Sequence, residues 1–139
     1  MQENKGNEKP TVLCLELTGE QKNTVAALCV KLGLRPVPVT VGDYAEPVGA
    51  LAGKYEKIGN VYEGTPIPEP MLVFAFVPDP TLQRFLGGLR ESGIRRPSLL
   101  ACMTETNADW TVDQLYRELS RERDAIYAKK RQHEAKGNH

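Results

Sequence analysis

Apolar positions divide the chain into two successive series, each with a strand-like run, a helical stripe and a second strand-like run. In the first series, strands are predicted at Thr11–Leu17 (TVLCLEL) and at residues 35–41 (RPVPVTV), where apolar residues alternate with period two. The stripe between them has the i, i+3, i+4, i+7 spacing of an amphipathic helix: Val25, Leu28, Cys29 and Leu32. The second series predicts strands at Met71–Val77 (MLVFAFV) and Ser98–Met103 (SLLACM) around a similar stripe: Leu82, Phe85, Leu86 and Leu89. A last helix is predicted over residues 111–131.

Polar residues before the two long helical stripes carry helix-start signals. Thr18 and Gln21 have the spacing of a capping box. Asp79 is expected to cap the helix of the second series, with Pro80 at its first position. Both helices are therefore predicted to begin immediately after a strand.

The two series lie in near register, which predicts an internal duplication of a β-α-β-α unit. Gly33 and Gly93 end the two helical stripes and lie 60 positions apart, as do Arg35 and Arg95. The predicted organisation is a disordered lead at 1–10, a single domain at 11–128 and a charged tail at 129–139. Within the domain, repeat one covers 11–53, a linker rich in glycine and proline covers 54–70, and repeat two covers 71–128.

Two sheet topologies fit two successive β-α-β-α units. Because Met71–Val77 is apolar at every position, both of its faces must be covered, which favours an α/β fold with helices on both faces of the sheet. We therefore predict a four-stranded parallel sheet of order 2-1-3-4. A ferredoxin-like α/β sandwich, with an antiparallel sheet and helices mainly on one face, is the alternative. Pro36 and Pro38 cannot donate ladder hydrogen bonds, so either topology places residues 35–41 at a sheet edge.

Composition narrows the classes of function. Lys and Arg number 18, as do Asp and Glu, so the formal net charge is zero, which argues against a protein built mainly to bind nucleic acid. No apolar run reaches the roughly 20 residues needed to span a bilayer, and the polar N-terminus does not resemble a signal peptide, so we expect a cytoplasmic location. The cysteines Cys14, Cys29 and Cys102 lie in apolar runs without metal-ligand spacing and are expected to be buried.

Two polar segments follow the predicted second and fourth strands. In a parallel sheet both would lie at carboxyl ends, where open α/β sheets bind ligands. The candidate ligand-binding residues are Asp43, Tyr44, Thr104, Thr106, Asn107 and Trp110. The same residue types also cap turns through local hydrogen bonds, and that structural interpretation is favoured for both segments.

Three segments resemble a known family: DYAEPVGALAG (43–53), EPMLVFAFV (69–77) and LRESGIRRPSLLACMTETNADWTVDQLYREL (89–119). They are similar to a small bacterial family called domain of unknown function 3783. The D-Y-x-x-P-x-G-x-L segment and the T-x-T-N-x-x-W-T turn are its most specific elements. The family more often has proline where this chain has Glu105. The resemblance supports the domain and implies no activity.

These observations favour a non-enzymatic module that binds a small molecule or a protein through the polar turns. One alternative is an enzyme with a ligand or cofactor site at the switch point of the sheet, which would use Thr18, Asp79, Thr104 and Asn107. Another is a weak nucleic-acid accessory protein acting through Arg35, Arg95 and the basic tail. No catalytic residue, cofactor or metal site is expected, membrane association is not expected, and a homodimer is left open.

Overall fold

The structure is a computed structural model that describes the backbone of residues 8–137 and the side chains of residues 8–130. Its strands are β1 Thr11–Leu15, β2 Arg35–Pro38, β3 Met71–Ala75 and β4 Leu99–Cys102. Its helices are α1 Gly19–Leu32, α2 Val48–Leu51, α3 Asp79–Ser92 and α4 Val112–Gly137. Two 3-10 turns, Val41–Asp43 and Asn107–Asp109, follow β2 and β4. Residues 1–7 of the predicted lead and residues 138–139 of the predicted tail lie outside the described residues.

The four strands form one sheet in the predicted order, β2-β1-β3-β4. The pairs β1–β2 and β3–β4 are parallel, but the central pair β1–β3 is antiparallel, with Leu13 opposite Val73. The prediction of a wholly parallel sheet is therefore wrong at its centre. The inference rested on burial of both faces of β3, and such burial does not specify the direction of a neighbouring strand.

Helices cover both faces of the sheet, as predicted. Residues Met71–Ala75 are all buried. On one face α1 and α3 pack over a core that contains Val12, Leu72, Val25, Phe85 and Leu89. On the other face α2, α4 and part of the linker pack over a second core that contains Leu13, Val73, Tyr44, Val48 and Leu115. The ferredoxin-like alternative, with helices mainly on one face, is thus also incorrect.

The central strands end two residues earlier than predicted. Glu16 and Phe76 follow β1 and β3 with φ angles of 53° and 60°, in the left-handed region that side chains other than glycine adopt uncommonly. A left-handed residue cannot continue a strand, so the chain turns there into α1 and α3.

The helix starts differ in how they are capped. Thr18 and Gln21 form the predicted capping box, in which Gln21 N donates to Thr18 Oγ1 at 3.1 Å and Thr18 N to Gln21 Oε1 at 2.9 Å. Asp79 does not cap α3, because Pro78 occupies the cap position and Asp79 lies inside the first turn. At that position its negative charge still interacts favourably with the positive end of the helix dipole.

The linker forms part of the second core. Ile67 is buried, and the ring of Tyr62 packs against Tyr44 with centroids 5.4 Å apart. The buried carboxylate of Glu46 accepts the N–H groups of Ile58 and Gly59, both at 2.8 Å. A segment predicted only as a connection therefore covers the sheet.

The two edges of the sheet present different backbone groups. Arg35 and Val39 donate their N–H groups toward β1, so the intervening Pro36 and Pro38 face outward and offer no donors. At the opposite edge, Leu99 and Met103 donate toward β3, and the backbone groups of Leu100 and Cys102 face outward. The edge at β2 thus lacks donors, whereas the edge at β4 retains them.

Candidate functional site

The first polar turn holds Asp43 in local contacts. Its Oδ2 accepts from Thr40 Oγ1 at 3.0 Å and from Thr40 N at 3.3 Å. Its Oδ1 lies 3.4 Å from Lys57 Nζ. These contacts fix the turn after β2.

Tyr44, the next predicted site residue, is completely buried in the second core. Its hydroxyl donates to Glu16 Oε2 at 2.7 Å. Burial, together with this hydrogen bond, raises the pKa of Tyr44 well above its usual value. The phenol therefore stays protonated and holds the exposed Glu16 against the end of β1.

The second polar turn is closed by reciprocal hydrogen bonds. Thr104 N donates to Asn107 Oδ1 at 2.8 Å, and Asn107 N donates to Thr104 Oγ1 at 3.0 Å. The Asn107 amide also donates to Cys102 O at 3.2 Å. Thr106 is exposed, and Trp110 packs half-buried against the second core.

The structure brings the end of the second turn to α2 but does not assemble all six predicted residues. Val48 N donates to Trp110 O at 2.8 Å, beside an isolated bridge between Pro47 and Thr111. The described side chains show no hydrogen bond from Asp43 or Tyr44 to the second turn. Because β2 and β4 run in opposite directions, their carboxyl ends lie at opposite ends of the sheet.

The same reversal removes the switch point on which the enzyme alternative depended. A switch point requires the carboxyl ends of two parallel strands to lie together. With β1 and β3 antiparallel, Thr18 and Asp79 lie at opposite ends of the sheet. The two helix starts therefore cannot converge on one ligand.

A groove between α1 and β2 forms a concavity of about 390 Å³ on the described part of the chain. This volume lies in the range of small-molecule sites. The lining residues are Cys14, Glu16, Leu17, Lys22, Val25, Ala26, Pro36, Pro38, Val39 and Thr40. We call it the α1/β2 groove.

The lining of the α1/β2 groove combines an apolar floor with few charges. Lys22 is exposed and is in no ion pair within the described residues. Burial raises the pKa of Cys14 to about 12, with a contribution from Cys29, so the thiol is protonated at neutral pH. Of the predicted site residues, Tyr44 reaches this groove by its bond to Glu16 and Asp43 by its bonds to Thr40.

A smaller concavity of about 190 Å³ lies at the corresponding place in the second half. We call it the α3/β4 groove, and its lining residues are Phe74, Leu82, Leu86, Leu100, Ala101 and Cys102. Phe74, Leu82 and Leu86 lie 60 positions after Cys14, Lys22 and Ala26. Bulkier and wholly apolar side chains at these positions explain why the second groove is smaller and carries no charge.

The cysteines only partly match their prediction. Cys29 is buried and Cys14 is half-buried, but Cys102 is exposed, since it lies on the open edge strand. Burial raises the pKa of Cys29 to about 11. No group of three His, Cys, Asp or Glu side chains in the described part of the chain is placed to hold a metal ion.

The arginine proposed for nucleic acid in the first half is engaged within the fold. Arg35 Nη2 donates to Thr11 Oγ1 at 3.1 Å and to Ala52 O at 3.0 Å. Arg95 is exposed, and the tail side chains from residue 131 onward lie outside the described ones. Nucleic-acid binding stays an untested prediction.

Comparison with known proteins identifies the second half of the chain. Residues 70–126, which span β3, α3, β4 and the first part of α4, match the family model "Domain of unknown function (DUF3783)". The second half of the chain is therefore similar to this family, and the match covers 57 of the 139 residues. This confirms the family inferred from the sequence, and the DUF3783 segment contains the second polar turn and the α3/β4 groove. No curated protein and no solved structure matches the chain.

Within the described residues, no helix has the length and apolar character required to cross a membrane. A cytoplasmic location stays a prediction.

Sequence reasoning missed the α1/β2 groove because its walls are distant in sequence. Lys22 and Ala26 on α1 approach Pro38 and Thr40 only after β1 and β2 have paired. One local signal was available. Pro36 and Pro38 marked residues 35–41 as an edge strand, and both prolines line the groove.

Proposed function

We propose that the chain is a non-enzymatic binding module that takes a small molecule with an apolar body and an acidic group in the α1/β2 groove. The observation that carries this proposal is the groove of about 390 Å³, with an apolar floor beside Lys22, which is in no ion pair within the described residues. In this proposal Asp43 and Tyr44 act as supports, because they hold Thr40 and Glu16 at the rim.

The lining favours this ligand chemistry on two grounds. Leu17 and Val25, with the flanking prolines, offer apolar surface that an aliphatic or aromatic body would cover. Lys22 offers an ammonium group that would pair with a carboxylate as water leaves the groove. Burial raises the pKa of the Cys14 thiol in this groove to about 12, so the thiol is protonated at neutral pH and is a poor nucleophile.

A thermal-shift titration with medium-chain and aromatic carboxylates tests the proposal. A ligand that binds only the folded state raises the melting temperature, and the shift grows with the ratio of ligand concentration to dissociation constant. We expect carboxylates to raise the melting temperature, and the corresponding uncharged amides to raise it much less. If no carboxylate shifts the melting temperature or perturbs NMR signals of groove residues, the proposal is wrong.

The second half of the chain indicates which substitutions in the groove the fold should tolerate. Ala26→Leu and Lys22→Leu each introduce the residue found 60 positions later, at Leu86 and Leu82. Ala26→Leu should fill the groove and Lys22→Leu should remove the cation, so both should abolish the ligand-induced shift without unfolding the protein. Val30→Ala, at a side chain that is 83% exposed, should leave the shift unchanged.

We also propose that the two halves arose by duplication. Support comes from the central strand pair, where Leu13 and Val73 are partners and lie 60 positions apart. Farther along, corresponding positions lie 64 apart. Arg35 pairs with the first residue of β1 and Leu99 with the first residue of β3, and these two residues are 64 positions apart. Pro47 and Thr111, which form an isolated bridge, are also 64 positions apart. The offset grows by four because the loop after Gly93 is longer than the loop after Gly33.

A chain built from two copies of residues 70–128, joined by residues 54–69, tests the duplication. If the halves are equivalent units, this chain should fold as a monomer with one cooperative unfolding transition. An unfolded or aggregated product, at a concentration where the natural chain is folded, would count against equivalence.

A further inference from the structure

We propose that the open edge of β4 pairs with the β4 of a second copy of this chain. The two strands would be antiparallel and related by a twofold axis at Leu100, which would join two four-stranded sheets into one sheet. Three observations at this edge favour a second copy as the occupant: its backbone donors, its charges and its apolar groove.

The backbone donors make β4 the open edge of the sheet. The N–H groups of Leu100 and Cys102 face outward, whereas the corresponding outward positions of β2 are Pro36 and Pro38. An edge strand with free donors is a template for another strand. Pairing can therefore occur at β4 and is blocked at β2.

The charges that flank β4 are complementary to those of a second, antiparallel copy of β4. Arg95 and Arg96 precede β4 and Glu105 follows it, and all three side chains are exposed. None of them is in an ion pair within the described part of the chain. With Leu100 on the twofold axis, Arg95 lies opposite Glu105 of the partner subunit, and the axis repeats this pair. An antiparallel second copy therefore supplies the opposite charge at both ends of β4.

The α3/β4 groove runs along the same edge and is apolar. Leu82 and Leu86 of α3 are half-buried at its wall. A twofold axis perpendicular to the sheet would bring the α3 helices of both copies onto one face, where these leucines would pack together. The chain already contains this arrangement once, because α1 packs beside α3 across the antiparallel β1–β3 pair, with Leu28 against Gly88.

A cross-linking experiment tests the register of the pairing. In an antiparallel pair, residues directly opposite have Cα atoms about 5.5 Å apart, within the range that a disulfide spans. In a Cys102→Ser background, Leu100→Cys should form a disulfide-linked dimer under mild oxidation. Val30→Cys in the same background, at an exposed position of α1, should not. Absence of a dimer with Leu100→Cys, in a folded protein, would contradict the register.

A charge exchange tests the partner without a covalent bond. Sedimentation velocity should show a concentration-dependent dimer of the natural chain. Arg95→Glu and Glu105→Arg should each weaken it by about tenfold or more, and the double variant should restore it. If both single variants weaken the dimer and the double variant does not restore it, the proposed contact between Arg95 and Glu105 is wrong.

A backbone substitution completes the test. Cys102→Pro removes one outward donor, as Pro38 does in β2, and it should yield a monomer whose thermal unfolding stays cooperative. A natural chain that sediments as a monomer at all concentrations up to about millimolar would overturn the proposal.

Discussion

Individual polar residues in the two turns mainly satisfy backbone groups of the turns themselves. Asn107 accepts from Thr104 N and donates to Cys102 O, and Asp43 accepts from Thr40. The structural interpretation of these residue types, as turn caps, describes these contacts. Capping was readable from sequence because its partners lie within five residues of one another.

Asn107→Ala tests the cap of the second turn. Loss of the side-chain amide leaves Thr104 N without its acceptor, so the free energy of unfolding should fall by about 1 kcal/mol. Thr106→Ala, one residue earlier at an exposed side chain, should change it by less than about 0.5 kcal/mol. Urea denaturation of both variants measures the difference, and equal effects would contradict this role of Asn107.

Glu46→Gln tests the anchor of the linker. Both oxygens of the buried carboxylate accept backbone N–H groups, and an amide can accept on only one side, so one of the two N–H groups loses its partner. We expect a loss of about 1–3 kcal/mol and faster hydrogen exchange at Ile58 or Gly59. Glu56→Gln, at an exposed carboxylate in the same segment, is the matched control. Unchanged exchange at both amides would refute the anchor.

Among the elements, α4 is tied to the start of β3 by a carboxylate cluster. Glu69 Oε1 accepts from Arg123 Nη1 at 2.6 Å, and Glu69 Oε2 accepts from Arg123 Nη2 and the Tyr116 hydroxyl, both at 2.9 Å. The hydrogen bonds from Arg123, with a smaller contribution from Tyr116, hold the pKa of Glu69 below its usual value of 4.5. The sequence predicted α4 but not this contact, since its partners lie 54 positions apart.

The Glu69 cluster makes stability depend on pH. Because the pKa of Glu69 is lower in the folded state, its contribution is complete above the unfolded pKa and is lost as the pH falls through the folded value. Glu69→Gln should lower the free energy of unfolding by about 1 kcal/mol near pH 7 and by much less near pH 3. Glu118→Gln, in the exposed pair with Arg121, should show a smaller effect at both pH values. Chemical denaturation at each pH measures both, and a deficit that does not shrink in acid would contradict this linkage.

Strand identity and order were predictable from sequence, and strand direction was not. Apolar periodicity and the outward prolines of β2 place the four strands correctly. Direction depends on how residues 54–70 route the chain from α2 to β3, and no local pattern encodes that path. Because β1 and β3 are antiparallel, predicted sites that relied on parallel central strands, including the one at Thr18 and Asp79, are not assembled.

The molecule as a whole has two cores that share one sheet. Phe85 lies in the core under α1 and α3, and Trp110 packs against the core on the opposite face. Since every apolar residue of the two central strands contributes to one core or the other, loss of either core should destabilise both.

Phe85→Ala tests this coupling. Removal of a completely buried ring should cost about 3–5 kcal/mol. Fluorescence of Trp110, the only tryptophan in the sequence, should report the same shifted midpoint as far-UV circular dichroism. Separate midpoints for the two signals would show that the faces unfold independently.

Pro36 and Pro38 also limit how copies of this chain can assemble. A sheet that could pair at both flanks would recruit further copies without end, as fibrils do. Here the flank at β2 lacks backbone donors, so the proposed pairing through β4 would saturate at two chains.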